Sequence, residues 1–430
     1  MFVGKIGEFV MDYSDMPVRD IMCIDMKSFY CSVVAMLEGL DVLKEPIAVV
    51  GSLQQPGSVV LAASPVMKEK FKIKSTTSRR YEIPKHPDIK LFEPKMSFFL
   101  RISMEITRLI AKYVPVDSIH VYSVDESWVD LTNNSGFWGT PEETAMAIKD
   151  AIYDQFRIPS AIGMGPNMLI AKLALDLEAK KTGFAKWTYE DIPEKLWPVR
   201  PLSEMWGIGK QMEAKLNAMG IQTIGGLANS DLNELEKRFG IMGNQLYYHA
   251  WGIDLSKLGE PLVNNASLSF GKGQMLMKDY HTRKDIAVVL LEMVEDVMRR
   301  TREAGYVGRT ISLGLSYSKH AMTKGFYRSR TIEIPTNETL AMYKVCLELL
   351  DEFFAGEPAR QLSVRISNLE PERSIQLDLF DEGKEQRKMI GHTMDAIRAK
   401  FGATSLLRAI SYTDSGTALK RDKLVGGHFA

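Results

Sequence analysis

The 430-residue sequence is poor in the features that mark several kinds of protein. It has only three cysteines, Cys23, Cys31 and Cys346, and they show no metal-ligand spacing. That excludes a thiolate metal centre and a disulfide scaffold, and leaves reduced, buried thiols. No stretch approaches the ~18 consecutive apolar residues of a membrane span. The first residues, Met1 to Asp20, carry acids throughout and lack the apolar block of a secretion signal. The expected location is therefore the cytoplasm, with no membrane partner. Net charge is also missing, since 54 basic residues balance 54 acidic ones. A chain coated evenly in positive potential for nucleic acid is thus excluded. There is no internal repeat of fixed period.

What is present is an ordinary globular composition, 45% hydrophobic and 25% charged, in a chain long enough for several cores. The charge is unevenly placed. Lys68, Lys70, Lys72, Lys74, Arg79 and Arg80 are interrupted only by Glu69. A later stretch, Lys319 to Arg330, holds Lys319, Lys324, Arg328 and Arg330 without an acid. Such runs are commonly solvated faces, and they also suit phosphate contact.

Periodicity organises the rest. Ile21 to Asp25 is an apolar run ending in an acid, which predicts a buried strand with a carboxylate emerging at its end, followed by a helix through Tyr30 to Leu37. Helical spacing runs from Ser97 to Val114 and stops at Pro115, and a further helix is predicted over Met146 to Phe156. Ile119 to Val124 and Trp128 to Leu131 read as strands with Asp125 and Glu126 at their junction. A helical module spans Pro193 to Leu258. In it Gly207-Ile208-Gly209, followed by Lys210, suits a helix-hairpin-helix whose backbone amides grip a DNA phosphate, or plain turn chemistry. A linker over Leu262 to Ser267 leads to an αβ-type domain. Its predicted helices are Ile286 to Thr301 and Thr339 to Phe354, and its strands Thr310 to Tyr317, Arg328 to Ile334 and Gln361 to Ile366. A last helix is expected over Glu385 to Phe401.

Asp25, Asp125 and Glu126 are candidates for chemistry. Neighbouring strands would converge them on one sheet edge, where a few carboxylates can hold two Mg²⁺ ions for phosphoryl transfer. An acid pair after a strand also suits a turn.

Two segments resolve this. Cys23 to Val33 (CIDMKSFYCSV) and Tyr122 to Leu131 (YSVDESWVDL) resemble the catalytic motifs of Y-family translesion DNA polymerases, most closely the bacterial UmuC-like branch. Val60-Leu61-Ala62-Ala63-Ser64-Pro65, the later Ala161 to Ala174 (AIGMGPNMLIAKLA) and the Gly-Ile-Gly module follow in that family's order. The resemblance covers roughly Ile21 to Asn368. It implies an α+β multidomain, right-hand polymerase: a palm (1–28 and 96–186), fingers (29–95), a helical thumb (187–260), an αβ little finger (265–370) and a tail (371–430).

The same resemblance implies error-prone synthesis from dNTP on primer-template DNA, in DNA repair and the SOS response. Asp25, Asp125, Glu126 and the Met26 carbonyl would hold two Mg²⁺ ions. Tyr30 matches the steric gate against ribonucleotides, while Phe29 beside it suits core packing as well as the nucleotide pocket. Val66, Glu69 and Pro166 stand where the family carries triphosphate-gripping Tyr, Arg and Lys, so Lys68, Lys70, Arg79, Arg80 and Lys172 become the candidates. Lys27 stands where an acid is common, to tune the site or simply face solvent.

Gly207, Gly209, Lys210, Lys319, Lys324, Arg328 and Arg330 are candidate DNA contacts. Gln376, Leu377, Leu379 and Phe380, in Gln-Leu-Asp-Leu-Phe, are similar to the peptide by which bacterial polymerases dock on the β sliding clamp. The protein is expected to be monomeric, with accessory subunits possible in principle. A noncatalytic DNA- or clamp-binding regulator on the same fold is the alternative, and a helix-hairpin-helix nuclease would not need Tyr30.

Overall fold

The computed structural model describes residues 11–132, 138–259, 268–319, 321–372, 383–425 and 428–429. The chain divides into two compact units, Met1–Glu260 with His428–Ala430, and Pro261–Gly427.

The first unit opens with β1 (Ile21–Met26) and α1 (Phe29–Glu38), then β2 (Ile47–Val50), β3 (Val60–Ala63), α2 (Pro65–Lys70) and β4 (Lys90–Phe92). It continues through α3 (Met96–Ile110), β5 (Ile119–Val121), β6 (Glu126–Asp130), α4 (Pro141–Phe156), β7 (Ser160–Gly165) and α5 (Met168–Ala174). A π-helical turn (Leu175–Ala179), the short α6 (Lys180–Thr182) and β8 (Phe184–Lys186) follow. Five strands form a sheet in the order β5-β6-β1-β7-β8, with β1 antiparallel to both neighbours. β1 is central and its first four residues are fully buried, which is why it reads as a continuous apolar run.

Strand alternation sends Met22 and Ile24 into a core with Phe99, Ile102 and Ile106 of α3 and Ile148 and Ile152 of α4. Ile21 and Cys23 face the opposite way, against Trp128, Leu169 and Leu173. Asp25 shares the parity of Ile21 and Cys23, so it belongs to the face covered by α5 and the π turn. α4 begins at Pro141 instead of the expected Met146, because Thr140 and Glu143 close a capping box with Pro141 at the first helical position. β2, β3 and β4 form a separate three-stranded sheet backed by Met67 of α2.

Four helices complete this unit: α7 (Lys210–Ala218), α8 (Ile224–Ala228), α9 (Leu232–Phe239) and α10 (Ile241–Ala250). Leu216, Ile224, Leu246 and Trp251 share one apolar cluster with Ile21 and Trp128. That cluster continues across the division expected at 186/187, while the cluster of Met22, Ile24 and Phe99 lies wholly before it.

In the second unit β9 (Phe270–Tyr280), α11 (Arg283–Glu303), β10 (Tyr306–Tyr317), β11 (Phe326–Thr336), α12 (Thr339–Phe353) and β12 (Ala359–Pro371) build an antiparallel sheet in the order β11-β10-β12-β9. Ile311, Leu313, Leu362 and Val364 bury against Val289 and Met293 of α11 and Met342 and Leu349 of α12. The alternate positions, Ser312 opposite Ser329 and Arg365, form the other face.

β12 runs one residue past the expected boundary at 370, and the described residues from 383 on make contacts with the second unit. α13 (Lys384–Phe401) and the residues after it pack on α11. Arg302 makes a two-pronged pair with Asp395 at 2.7 and 3.1 Å. Glu295 accepts from both Arg398 (2.9 Å) and Arg408 (2.7 Å), and Thr417 hydrogen-bonds Glu292 (2.7 Å) and Gln274 (3.0 Å). Among the described residues the apolar core of this unit takes no member from that segment. The linker at 262–267 and the clamp-like residues Gln376, Leu377, Leu379 and Phe380 lie outside the described residues. Among the described residues no helix is long and apolar enough to cross a membrane.

Candidate active site

Asp25, next to last in β1, is the register partner of Glu126, the first residue of β6. Asp125 therefore precedes that strand, and its carbonyl accepts from Met26 N at 2.8 Å. The junction expected between two strands is thus a tight corner, closed where Tyr122 N and Ser123 N both donate to the Glu126 carbonyl at 3.0 Å. Ser123 Oγ donates to Asp125 Oδ1 at 2.7 Å and fixes that carboxylate. Beyond β1 the chain turns through Ser28, in the left-handed region at φ 49° and ψ 48°, directly into α1. Tyr30 on the first turn of α1 is half-buried and stacks on Phe99. Burial, with the Asp125 charge adding to it, pushes its hydroxyl above the ordinary range. Phe29 is only 3% exposed and packs in the core, the first of the two roles its position suits.

The carboxylates do not stand alone. Lys172 Nζ lies 2.7 Å from Glu126 Oε2 and 3.2 Å from Asp176 Oδ1, and Lys180 Nζ lies 2.8 Å from the same Asp176 oxygen and 3.7 Å from Asp25 Oδ2. The other Glu126 oxygen faces Cys23 Sγ at 3.4 Å. Burial by itself would depress the Lys172 ammonium, but Glu126 and Asp176 hold it above its usual value. Burial pushes the Asp25 carboxyl up to about 6, with Lys180 opposing the rise and Asp125 and Glu126 adding to it. These side chains can meet because β7 comes very close to the α5 region. A Cβ on Gly163 would fall 2.2 Å from Leu175 N and 2.3 Å from Ala171 O, so only glycine fits there.

The donor set, three carboxylates and the carbonyl of Met26, consists of hard oxygen ligands and suits Mg²⁺ in kind. Asp25, carrying burial and two carboxylate neighbours, has the chemistry of a group that gains from a cation. Among the described residues, however, no three His, Cys, Asp or Glu side chains are already gathered as a cation cage. Glu126 is instead satisfied by Lys172 and Cys23.

The basic candidates divide. Lys68 Nζ reaches Ser28 Oγ at 3.3 Å, beside the turn that follows Asp25. Lys70 lies over the Phe71 ring instead. Lys172, another of the candidates, is engaged by Glu126 and Asp176. Lys180 and Asp176 were missed by sequence reasoning. Lys172, Asp176 and Lys180 follow one another at intervals of four, and that same-face helical spacing of alternating charge was the available signal.

Gly207 (φ 95°) and Gly209 are exposed, and Gly209 caps α7 without any side-chain acceptor, so the first-turn amides beside exposed Lys210 are uncovered. In the second unit Lys319 and Lys324 are exposed. Arg328 lies over Phe353, and Arg330 is held by Glu348 (2.7 Å) and Glu352 (2.8 Å) of α12. Those two arginines belong to the helix side of the edge strand, where Arg328 is exposed and Arg330 is paired. The charge on the other face of the sheet, missed in the sequence, is exposed Arg365.

Comparison with known proteins agrees with this architecture. The impB/mucB/samB family profile matches residues 24–176 and the C-terminal domain of that family matches 267–379. The thumb domain of DNA polymerase-iota matches 203–254. "Putative UV-damage repair protein UvrX" of Bacillus subtilis (strain 168) is 52% identical over 97% of this chain and 100% of that protein. "DNA polymerase IV 2" of the same organism is 36% identical over 96% of this chain and 100% of its own length, and that of Halalkalibacterium halodurans 34% over 95% and 99%. Among solved structures, a "Y-family DNA polymerase chimera Dbh-Dpo4(243-245)-Dbh" covers 81% of this chain and 98% of its own, with a TM-score of 0.62 at 21% identity, a likeness of fold. With its carboxylates at one sheet corner, Tyr30 on the first turn of the helix that follows and this kinship along nearly its whole length, the chain belongs to the impB/mucB/samB family and is a DNA-directed DNA polymerase of the Y family.

Proposed function

We propose that the chain carries out error-prone translesion synthesis by a two-metal mechanism, with Asp25, Asp125, Glu126 and the Met26 carbonyl as the ligands. The observation that carries this reading is the register of Asp25 against Glu126, with Asp125 at the same corner and Tyr30 alongside. When bound, two Mg²⁺ ions supply a lowered pKa at the primer 3′-hydroxyl and neutralise the leaving pyrophosphate. The chain's own residues do the rest. Ser123 orients Asp125, and the Tyr30 ring, backed by Phe99, fills the space a 2′-hydroxyl would need. Lys180, 43% exposed beside Asp25, and Lys68 above Ser28 offer ammonium groups to the triphosphate.

In this reading residues 1–28 and 96–186 act as palm, 29–95 as fingers, 187–260 as thumb and 265–370 as little finger. The uncovered α7 amides of the thumb and Lys319, Lys324 and Arg365 of the little finger meet DNA phosphates. The clamp-like peptide recruits a β sliding clamp to a monomeric enzyme acting in the cytoplasm during the SOS response. The test is extension of a primed template with dNTP and Mg²⁺. Asp125→Asn should lower the rate about 1000-fold or more while duplex binding and thermal stability stay near wild type. Wild-type-like extension by that variant ends the assignment.

A further inference from the structure

Lys172 is a buried ammonium within a set of carboxylates, its side chain 6% exposed and that of Glu126 9%. Both oxygens of Glu126 are engaged from the interior, by Lys172 and by Cys23. We propose that Lys172 is a positioning residue that latches Glu126 away from the cations in the metal-free enzyme, and that Asp176 receives Lys172 when Glu126 turns toward them. The proposal rests on the two-metal reading above.

Three observations carry it. First, Glu126 shares one corner with Asp25 and Asp125, yet both of its oxygens are taken up by groups on the buried side, Lys172 and Cys23. Second, a buried ammonium stripped of its partner is strongly disfavoured, so a latch can open only if another anion is at hand. Asp176 Oδ1 already stands 3.2 Å from Lys172, four residues further along the chain. Third, Asp176 lies in the π-helical turn, and its carboxylate meets both Lys172 and Lys180. The same Asp176 oxygen thus serves both lysines, so a ligand that draws Glu126 away still leaves Lys172 an anionic partner.

The experiment is a Mn²⁺ titration of the full chain without DNA or nucleotide, read from the electron paramagnetic resonance signal of free Mn²⁺. Lys172→Met should bind Mn²⁺ about tenfold more tightly than wild type. In a Glu126→Gln background the same substitution should add nothing, because there is no carboxylate left to release. An equal gain in both backgrounds means that Lys172 acts through its charge alone, and overturns the latch. Unchanged or weakened binding by Lys172→Met overturns it as well. Asp25→Asn separates the two readings: if it binds Mn²⁺ like wild type, the metal site itself is elsewhere and the latch falls with it. Should Lys172→Met fail to fold, wild-type protein labelled with ¹³C at glutamate carboxyls decides. The Glu126 resonance, identified by its absence from Glu126→Gln, should shift on adding Mg²⁺, and an unmoved resonance at saturating Mg²⁺ overturns the proposal.

Discussion

The ring of Tyr30 lies flat on that of Phe99, with centroids 4.6 Å apart and planes 13° from parallel. Phe99 is 1% exposed and also meets Phe29 edge-on at 6.5 Å. A half-exposed ring at the candidate nucleotide site is thus held by the core of the first unit, so its position does not depend on a hydrogen bond from its hydroxyl.

Sugar discrimination should follow from that stacking. Tyr30→Ala is expected to raise ribonucleotide use relative to deoxyribonucleotide roughly tenfold or more, whereas Tyr30→Phe, which keeps the ring, should leave it near wild type. Competitive single-nucleotide incorporation measures both. Equal discrimination by wild type and Tyr30→Ala would return the tyrosine to a packing role.

The Asp25 carboxyl makes metal-free stability depend on pH. Its folded pKa is raised from 3.8 to about 6, so the stability that this one carboxyl contributes is fully present below pH 3.8 and is lost as pH rises through 6, where the buried group must ionise. With the site partly open to solvent, the loss is on the order of 2 kcal/mol at neutral pH. Asp25→Asn should therefore be more stable than wild type in EDTA at pH 7.5 and indistinguishable near pH 4. Urea titrations across that range check it, and a less stable Asp25→Asn at pH 7.5 would contradict the sign.

DNA affinity should fall steeply with salt, each phosphate contact adding a slope of about −0.9 in log K against log[salt]. Neutralising Lys319, Lys324 and Arg365 together should flatten that slope by two to three contacts' worth, an estimate of roughly 2 units. Arg330→Gln, already paired with Glu348 and Glu352, should change it little. Fluorescence anisotropy over a salt series distinguishes these variants, and an Arg330 effect as large as the triple one would refute the division.

Recruitment should separate from chemistry. Replacing Gln376, Leu379 and Phe380 with Ala should leave distributive extension of a short primer unchanged while abolishing stimulation by a loaded clamp, because tethering raises local concentration without altering the active site. Loss of basal activity in the triple variant would tie the segment to the folded unit instead.

The carboxylate corner was legible because it sits where strand periods change: Asp25 ends an apolar run, and Asp125-Glu126 divides two. The start of α4 was legible in principle, through Thr140, Pro141 and Glu143, but the apolar spacing that suggested Met146 begins a turn later. β9 escaped because Gly271, Gly273 and three lysine or aspartate positions interrupt the β-branched pattern expected of a strand. Lys172, Asp176 and Lys180 were readable as a series four residues apart, but their tie to the carboxylates was not, since Glu126 lies 46 residues from Lys172 and Asp25 lies farther still from Lys180. Arg330 was misjudged for the same reason: its acids are on the next helix.

The docking of the C-terminal segment has a consequence for anyone shortening this chain. A version ending at Pro371 would retain every described apolar core residue of the second unit, and by hydrophobicity alone it would look complete. It would nevertheless strip Glu295 of both arginines and Arg302 of its aspartate, leaving two ionised side chains facing a surface built for counter-ions. The segment serves that helix as a covalently attached counter-ion, so truncation designs need neutral replacements at positions 295 and 302 before they remove it.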